Sequence, residues 1–487
     1  MTVFRRNLRS VICRAVWLAV ALMASAGLLR QAVAFGQAAV QATKPDALII
    51  RGGWLFDAVR NDVRQNSGLV IMSGRLMEVD ANLAGRDLSE YRVMQLGNDD
   101  YILPGFFDLH AHYNVNLFGS NRRDETTVQP VVFLANGVTT TFPGGEYNPD
   151  DMMALHDRIE RGEQSGPRLI NSGAYFGRTR VGWDPNMTPA EVYADVDAAV
   201  ARGIRAFKAK GIGPIQLRAL IERAHWHGAT VTGHLDSGFQ GSVNPKAAIL
   251  MGIDRIEHFM GGDMLPSTRS AYASLVEADI TSSAYADIIK TYLKYRVNYD
   301  ATITAYGYAS KRDGDEVFVP WQDEQRFLTP YVKAEQATKG QDRRVNETFD
   351  RIYHFKYKEI KAFYDAGGGS LITLGTDYPS TGEFLPGFSG HREMHAMVRA
   401  GLPPAAVLKI ATINSARAIG VGDRLGTIEA GKLADLVVVR GNPLQDIRNT
   451  HKVQMVFKAG KAYDPAELFK SVEGKLGPTN EAERAKW

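Results

Sequence analysis

Five side chains of this sequence are of the right kind, and in the right places, to hold metal ions. In FFDLHAH (106–112), His110 and His112 stand two residues apart. On an extended strand both would point to one face and could grip a single ion. Taken alone, that pair could equally be two partly buried structural histidines. His234, His258 and Asp377, however, lie at or beside the carboxyl ends of three further strand-like runs, TVTGHL, RIEHF and SLITLGTDY. One metal centre accounts for all five positions. Lys208 occupies the corresponding place in IRAFKAK, yet an ammonium only donates and cannot ligate a cation. A desolvated, neutral amine that adds carbon dioxide becomes an anionic carbamate with two oxygens able to bridge two ions. The alternative is a rim lysine in an ordinary ion pair. Lys210 faces the same way, and Lys208 is the stronger candidate for the bridge.

Other nucleophiles are scarce. The single cysteine, Cys13, lies near the N-terminus, no serine sits in a G-x-S-x-G elbow, and the glycine-rich stretches lack the context of a phosphate loop. Histidine and carboxylate donors favour zinc or another borderline divalent ion. Water on such an ion, its pKa brought down to about 7, supplies hydroxide at neutral pH. Asp377 is then both ligand and proton shuttle to a leaving group. Four further residues are candidates for meeting substrate: Arg178, Arg180 and Tyr306, just beyond two of the runs, and His391, after the last. His225 and His227 also read His-x-His, but near a helix end, where residues two apart diverge by about 200°, so they are expected to be surface residues.

The elements that must position these groups are legible from the pattern. From residue 105 to 420, eight apolar runs alternate with helical stretches such as TPAEVYADVDAAVARG. That is the signature of an α/β fold with a parallel sheet closed as a (β/α)8 TIM barrel, whose active site lies at the carboxyl ends of its strands. The seventh run is read as YDATITAY (299–306). Residues 311–366 form an insertion able to roof the barrel as a lid, or to run over its surface. Alternating runs at 45–104 and 421–466 are read as one small, discontinuous β-sandwich domain built from both ends of the chain, and 467–487 as a loose tail.

Composition agrees. The chain has 487 residues, 45% hydrophobic and 23% charged, which argues against disorder and a polytopic membrane protein. Residues 1–34 read as a secretory signal peptide: arginines, an apolar run from Ala15 to Leu29, and Ala32-Val33-Ala34. Removing them takes away five arginines and no acids, so 52 bases face 54 acids and the formal charge of +3 becomes about −2. Nucleic acid is therefore excluded as a partner. The expected location is periplasmic or secreted, and a membrane is reached through the leader alone, if it stays uncleaved.

Taken in order, LPGFFDLHAH, Lys208, GHLD, IEHF, LGTDYP and then DRLGTIEAGKLADLVVVRGNPL resemble the metal-dependent amidohydrolase superfamily, in its prolidase-like and imidazolonepropionase-like branch. The resemblance implies two ions, for which the donor set favours zinc: His110, His112 and Asp377 on one, His234 and His258 on the other, and carboxylated Lys208 between them. Some relatives with similar strand motifs keep one ion and omit the lysine bridge. It implies cleavage of a C–N bond in a small-molecule amide or peptide, such as an N-acyl amino acid, a dipeptide or a cyclic amide. Ester, lactone or phosphotriester hydrolysis, or a catalytically silent binding protein, are the alternatives, and further copies of the chain are compatible as partners.

Overall fold

The computed structural model describes residues 47–118, 122–310, 315–318, 324–339, 346–378, 386–485 and 487. The expected signal peptide lies outside them, as do parts of the 311–366 insertion.

The described chain is a mixed α/β fold. Eight short parallel strands carry its centre: β1 (Phe106–Ala111), β2 (Val138–Pro143), β3 (Arg168–Leu169), β4 (Ala206–Lys210), β5 (Thr230–His234), β6 (Arg255–Glu257), β7 (Asn298–Asp300) and β8 (Ile372–Thr373). Strands β1, β2 and β3 pair in that order, and β4 to β8 pair in that order. Beyond β3, Phe176 pairs in parallel with Ala209 of β4, its amide donating to Lys208 O at 2.9 Å. Beyond β8, Tyr378 pairs with Ala111 of β1, and Leu109 N donates to Leu374 O at 2.8 Å. Every residue of β1 and β2 is buried. Aromatic and β-branched residues in unbroken runs suit strands covered on both faces.

The helices between strands bury one face. In α1 (Pro189–Ala201), Thr188 and Glu191 form a capping box, and Val192 and Val196, four residues apart, are the buried positions.

Both chain ends share a second β region. A four-stranded sheet has the order Arg75–Val79, Leu69–Met72, Ala47–Arg51, Arg92–Gln95. In a six-stranded sheet, Leu436–Arg440 pairs antiparallel with Asp100–Pro104, which leads into β1. Leu48, Ile50, Leu69, Ile71, Leu76, Ile102, Leu436, Val438 and Phe457 from the two sheets form one buried cluster.

Two expectations are corrected. The run 299–306 is not one strand: β7 ends at Asp300, and α2 (Ile303–Ala309) follows, which puts Tyr306 on a helix. The buried Glu393 carboxylate accepts from Ile303 N and Thr304 N, both at 2.8 Å, and so caps the helix start. This contact from 90 residues away overrides the strand propensity of the β-branched run. The C-terminal segment is not a loose tail. After α3 (Glu347–Asp365) and α4 (Phe388–Arg399) comes α5 (Pro465–Val472), capped by Asp464, with Leu468, Phe469 and Val472 buried. Phe469 stacks on Phe388 with centroids 5.6 Å apart. Three apolar residues at i, i+1 and i+4 are enough to dock this short helix once a matching surface exists.

Candidate metal centre

The cluster is built outward from β1. His110 and His112 project to one side, with ring centroids 5.2 Å apart. Gly144, just after β2, allows this: a Cβ there would lie 2.3 Å from His110 Cδ2. After β8 the chain bends at Asp377 into the left-handed region, φ 55°, while Asp377 N donates to His110 O at 2.9 Å. The bend brings the Asp377 carboxylate 2.8 Å from His112 Nε2 and 3.2 Å from His110 Nε2. His258 makes the same kind of bend after β6, φ 69°. Its Nε2 lies 3.9 Å from Asp377 Oδ2, and its Nδ1 meets Thr302 Oγ1 at 2.8 Å. The His234 ring, at the end of β5, is centred 4.2 Å from that of His258. Left-handed backbone at a residue with a Cβ costs about 1–3 kcal/mol. At two of the five candidate ligands it is retained, and at both it turns a donor into the cluster.

These groups fit a cation. One donor atom from each of His110, His258 and Asp377 lies within 4.8 Å of the others. Among the described residues the buried His258 Nε2 has no hydrogen-bond partner. Burial, against the pull of Asp377, holds His112 down at about 4. Burial also takes His234 and His258 well below the usual imidazole range, helped by Lys210 beside His234 and by His234 beside His258. Neutral imidazoles keep a lone pair for a metal. Burial works in the opposite sense on Asp377, but His110 and His258 hold its carboxyl well below the ordinary value, so it stays anionic.

Lys208 is fully buried, with Nζ 3.3 Å from His110 Nε2 and ion-paired to the carboxylate of Glu257. Burial lowers its pKa while Glu257 resists. Glu257 escaped the sequence reading. Burial raises its carboxyl, but His110, Lys208 and Arg255 bring it down to about 2, and Thr232 Oγ1 donates to it at 3.0 Å. Beside it, Arg255 donates to Leu109 O at 2.7 Å and to Asp300 at 3.0 Å. The signal was available: Arg255, Glu257 and Asp300 put charges at buried positions of β6 and β7. Glu146, two residues beyond Gly144, was missed as well. It is buried against Asn171 Nδ2 at 2.9 Å and Ser172 N at 3.1 Å.

The candidates for substrate contact divide. Arg178 lines a cavity of about 490 Å3 together with Lys210, His234, Asp236, Trp183 and Tyr272. Tyr306 is buried, its ring 6.3 Å from that of His258. It packs with Tyr272 and with Phe349 of α3, so the described part of the insertion contributes to an aromatic wall beside the cluster. Arg180 does not face the cavity; its guanidinium pairs with Asp195 of α1 at 2.6 Å, where the nearer carboxylate draws it. His391 is not a rim residue. It is buried in α4, 3.1 Å from Thr450 Oγ1 and edge-on to Phe106, at the far end of β1 from His110. His225 and His227 go to separate carboxylates, Asp254 at 3.0 Å and Asp197 at 2.7 Å.

Residues 101–463 match the model of the Amidohydrolase family. The chain belongs to this family. Its members generally bind divalent metals, in keeping with the His110, His258 and Asp377 cluster. Among solved structures, a Xaa-Pro dipeptidase with bound methionine in the active site has a TM-score of 0.65 at 22% identity, covering 86% of this chain and 100% of that one. That likeness is one of fold. Two curated relatives match short stretches. A 5-methylthioadenosine/S-adenosylhomocysteine deaminase of Desulforudis audaxviator is 42% identical over 62 residues, 12% of this chain and 14% of that protein. An imidazolonepropionase of Aromatoleum aromaticum is 69% identical over 35 residues, 7% of this chain and 8% of that protein.

Proposed function

We propose that this amidohydrolase is an exported, metal-dependent hydrolase that cleaves a C–N bond in an N-acyl amino acid, a dipeptide or a cyclic amide. The observation that carries this reading is the buried His258 Nε2, without a hydrogen-bond partner among the described residues and facing His110 and Asp377. The resemblance to a Xaa-Pro dipeptidase supports the amide class.

In this reading His110, His112 and Asp377 would hold one zinc ion, His234 and His258 would hold a second, and Lys208, as its carbamate, would complete the set. When bound, such ions supply Lewis-acid activation of water and of the scissile carbonyl. The chain supplies the rest. Asp377, kept anionic, accepts the proton released by water at a carboxylate oxygen and returns it to the departing nitrogen. Tyr306, Tyr272 and Phe349 shield the reacting groups from bulk water. Arg178, on the cavity wall, is placed to receive a substrate carboxylate. The depressed basicity of Lys208 supports the carbamate, because only a neutral amine adds carbon dioxide; forming it requires the amine to leave Glu257.

The cycle of strand pairings, with Tyr378 returning to Ala111, supports a closed (β/α)8 barrel over 105–420. The shared apolar cluster of the two sheets supports a β-sandwich formed by 45–104 and 421–466. Export to the periplasm or beyond rests on Arg5, Arg6, the apolar run and Ala32-Val33-Ala34.

The test is metal analysis of the purified chain and a screen of N-acyl amino acids, dipeptides, cyclic amides and lactones. Turnover of an amide that chelation abolishes and Zn2+ restores is the expected result. A metal-free protein that hydrolyses none of these would refute the reading.

A further inference from the structure

Helix α3, in the insertion, carries a buried ion pair whose purpose packing does not explain. Its buried face includes Ile352, Phe355, Lys356, Ile360 and Phe363, so a charged residue stands where a leucine would suit. Lys356 and Glu359 are both fully buried. Lys356 Nζ donates to the Glu359 carboxylate, to Tyr299 Oη and to the backbone carbonyl of His258. Three acceptors satisfy all three ammonium hydrogens. Tyr299 Oη also lies 2.9 Å from His258 O, and the ammonium sits 4.9 Å from the centroid of the Tyr299 ring. A buried ion pair is often no more stabilising than apolar residues of the same volume, so its retention calls for a further reason.

That reason is the peptide it grips. His258 holds a left-handed φ of 69°, and in this bend its ring meets Thr302 through Nδ1 and aims Nε2 at Asp377. The peptide on its carboxyl side must be held against relaxation, and its carbonyl is the handle. We propose that Lys356 is a positioning residue: from the insertion, and together with Tyr299, it clamps the His258 carbonyl and so sets the direction of His258 Nε2. The insertion is in this way part of the centre's support, whatever cover it provides above. The inference rests on the metal-binding reading of the cluster.

The test is Zn2+ affinity, measured by chelator competition on the full chain, with the visible spectrum of the Co2+-loaded protein as a report on ligand geometry. Partners that orient metal-ligating histidines change affinity by about 10–100-fold when removed. Lys356→Met is expected to lose affinity in that range and to shift the Co2+ bands, and Lys356→Arg, which keeps charge and donors, to recover most of both. A role confined to packing would lower the melting temperature and leave both readouts at wild-type values. Wild-type affinity and spectrum in folded Lys356→Met would overturn the proposal. Should Lys356→Met not fold, Tyr299→Phe keeps the ring and removes the hydroxyl that lies against both the His258 carbonyl and the Glu359 carboxylate; a threefold or greater loss of affinity supports the clamp, and unchanged affinity overturns it. A wild-type chain that takes up no Zn2+ sinks the metal-binding reading itself, whereas normal wild-type binding with unchanged variants sinks the clamp alone.

Discussion

The mouth of the parallel strands and the interface between the two sheets are both buried, but they are built on opposite rules. Between the sheets, Leu48, Ile50, Leu69, Ile71, Leu76 and Phe457 meet with no charge among them. At the strand mouth, Asp108, His110, Lys208, Arg255, Glu257, His258 and Asp300 are all nearly or fully buried. Three residues with a Cβ, His258, Thr302 and Asp377, are bent into the left-handed region there. An apolar interior is the cheap way to stabilise a fold. Buried charge with strained backbone is tolerated where its geometry serves chemistry. The strand mouth thus concentrates buried charge, whereas the cluster between the sheets is made of apolar side chains.

Four measurements would sharpen or break this contrast. The largest effect is expected for Asp377→Asn. It should lower kcat/KM on any amide substrate by about 100- to 10,000-fold, the range of a lost proton shuttle, with little change in melting temperature; wild-type turnover would remove Asp377 from the mechanism. Lys208→Ala leaves Glu257 buried and alone, and is expected to cost about 3–5 kcal/mol by denaturant titration. Its lost activity should be partly restored by a small added carboxylic acid if a carbamate is the working form. Leu69→Ala, in the apolar interface, should cost about 2–5 kcal/mol and leave Zn2+ affinity untouched. A change in Zn2+ affinity there would mean the two regions are coupled.

The fourth effect is the smallest and depends on pH. Burial above all, against the hydrogen bond from Asn171, raises the Glu146 carboxyl from 4.5 to about 8. A raised folded-state pKa means that its contribution to stability is full below about 4.5 and is lost as pH rises toward 8. Wild-type protein should therefore lose stability across that window more steeply than Glu146→Gln. Parallel pH profiles would show that this buried acid does not titrate as described.

The five metal-ligating candidates and Lys208 were legible because strand geometry makes a local promise: residues two apart share a face, and strand ends in such folds converge. The strand-like runs were legible for a related reason, since short, mainly apolar stretches between helical ones leave few other arrangements, although the seventh strand ends at Asp300. Glu257 was passed over although it adjoins His258, because its role depends on Lys208, 49 residues away, reaching the same point. The helical start at Ile303 needed Glu393, and the docking of 465–472 needed Phe388; neither partner is near in sequence. His391 and Arg180 had the right chemistry and the wrong neighbours.

By itself, then, the amino-acid order determined the kind of chemistry, most of the strand and helix succession, and which side chains are candidate donors, because period and residue type are properties of short stretches. Tertiary structure alone decided how those donors are aimed. The left-handed bends at His258 and Asp377, the hydroxyl of Thr302 on one ring nitrogen, and the lysine of a distant helix on the His258 carbonyl arise only when segments far apart in the chain are brought within hydrogen-bonding distance, and the energy that holds a strained backbone in place comes from those contacts.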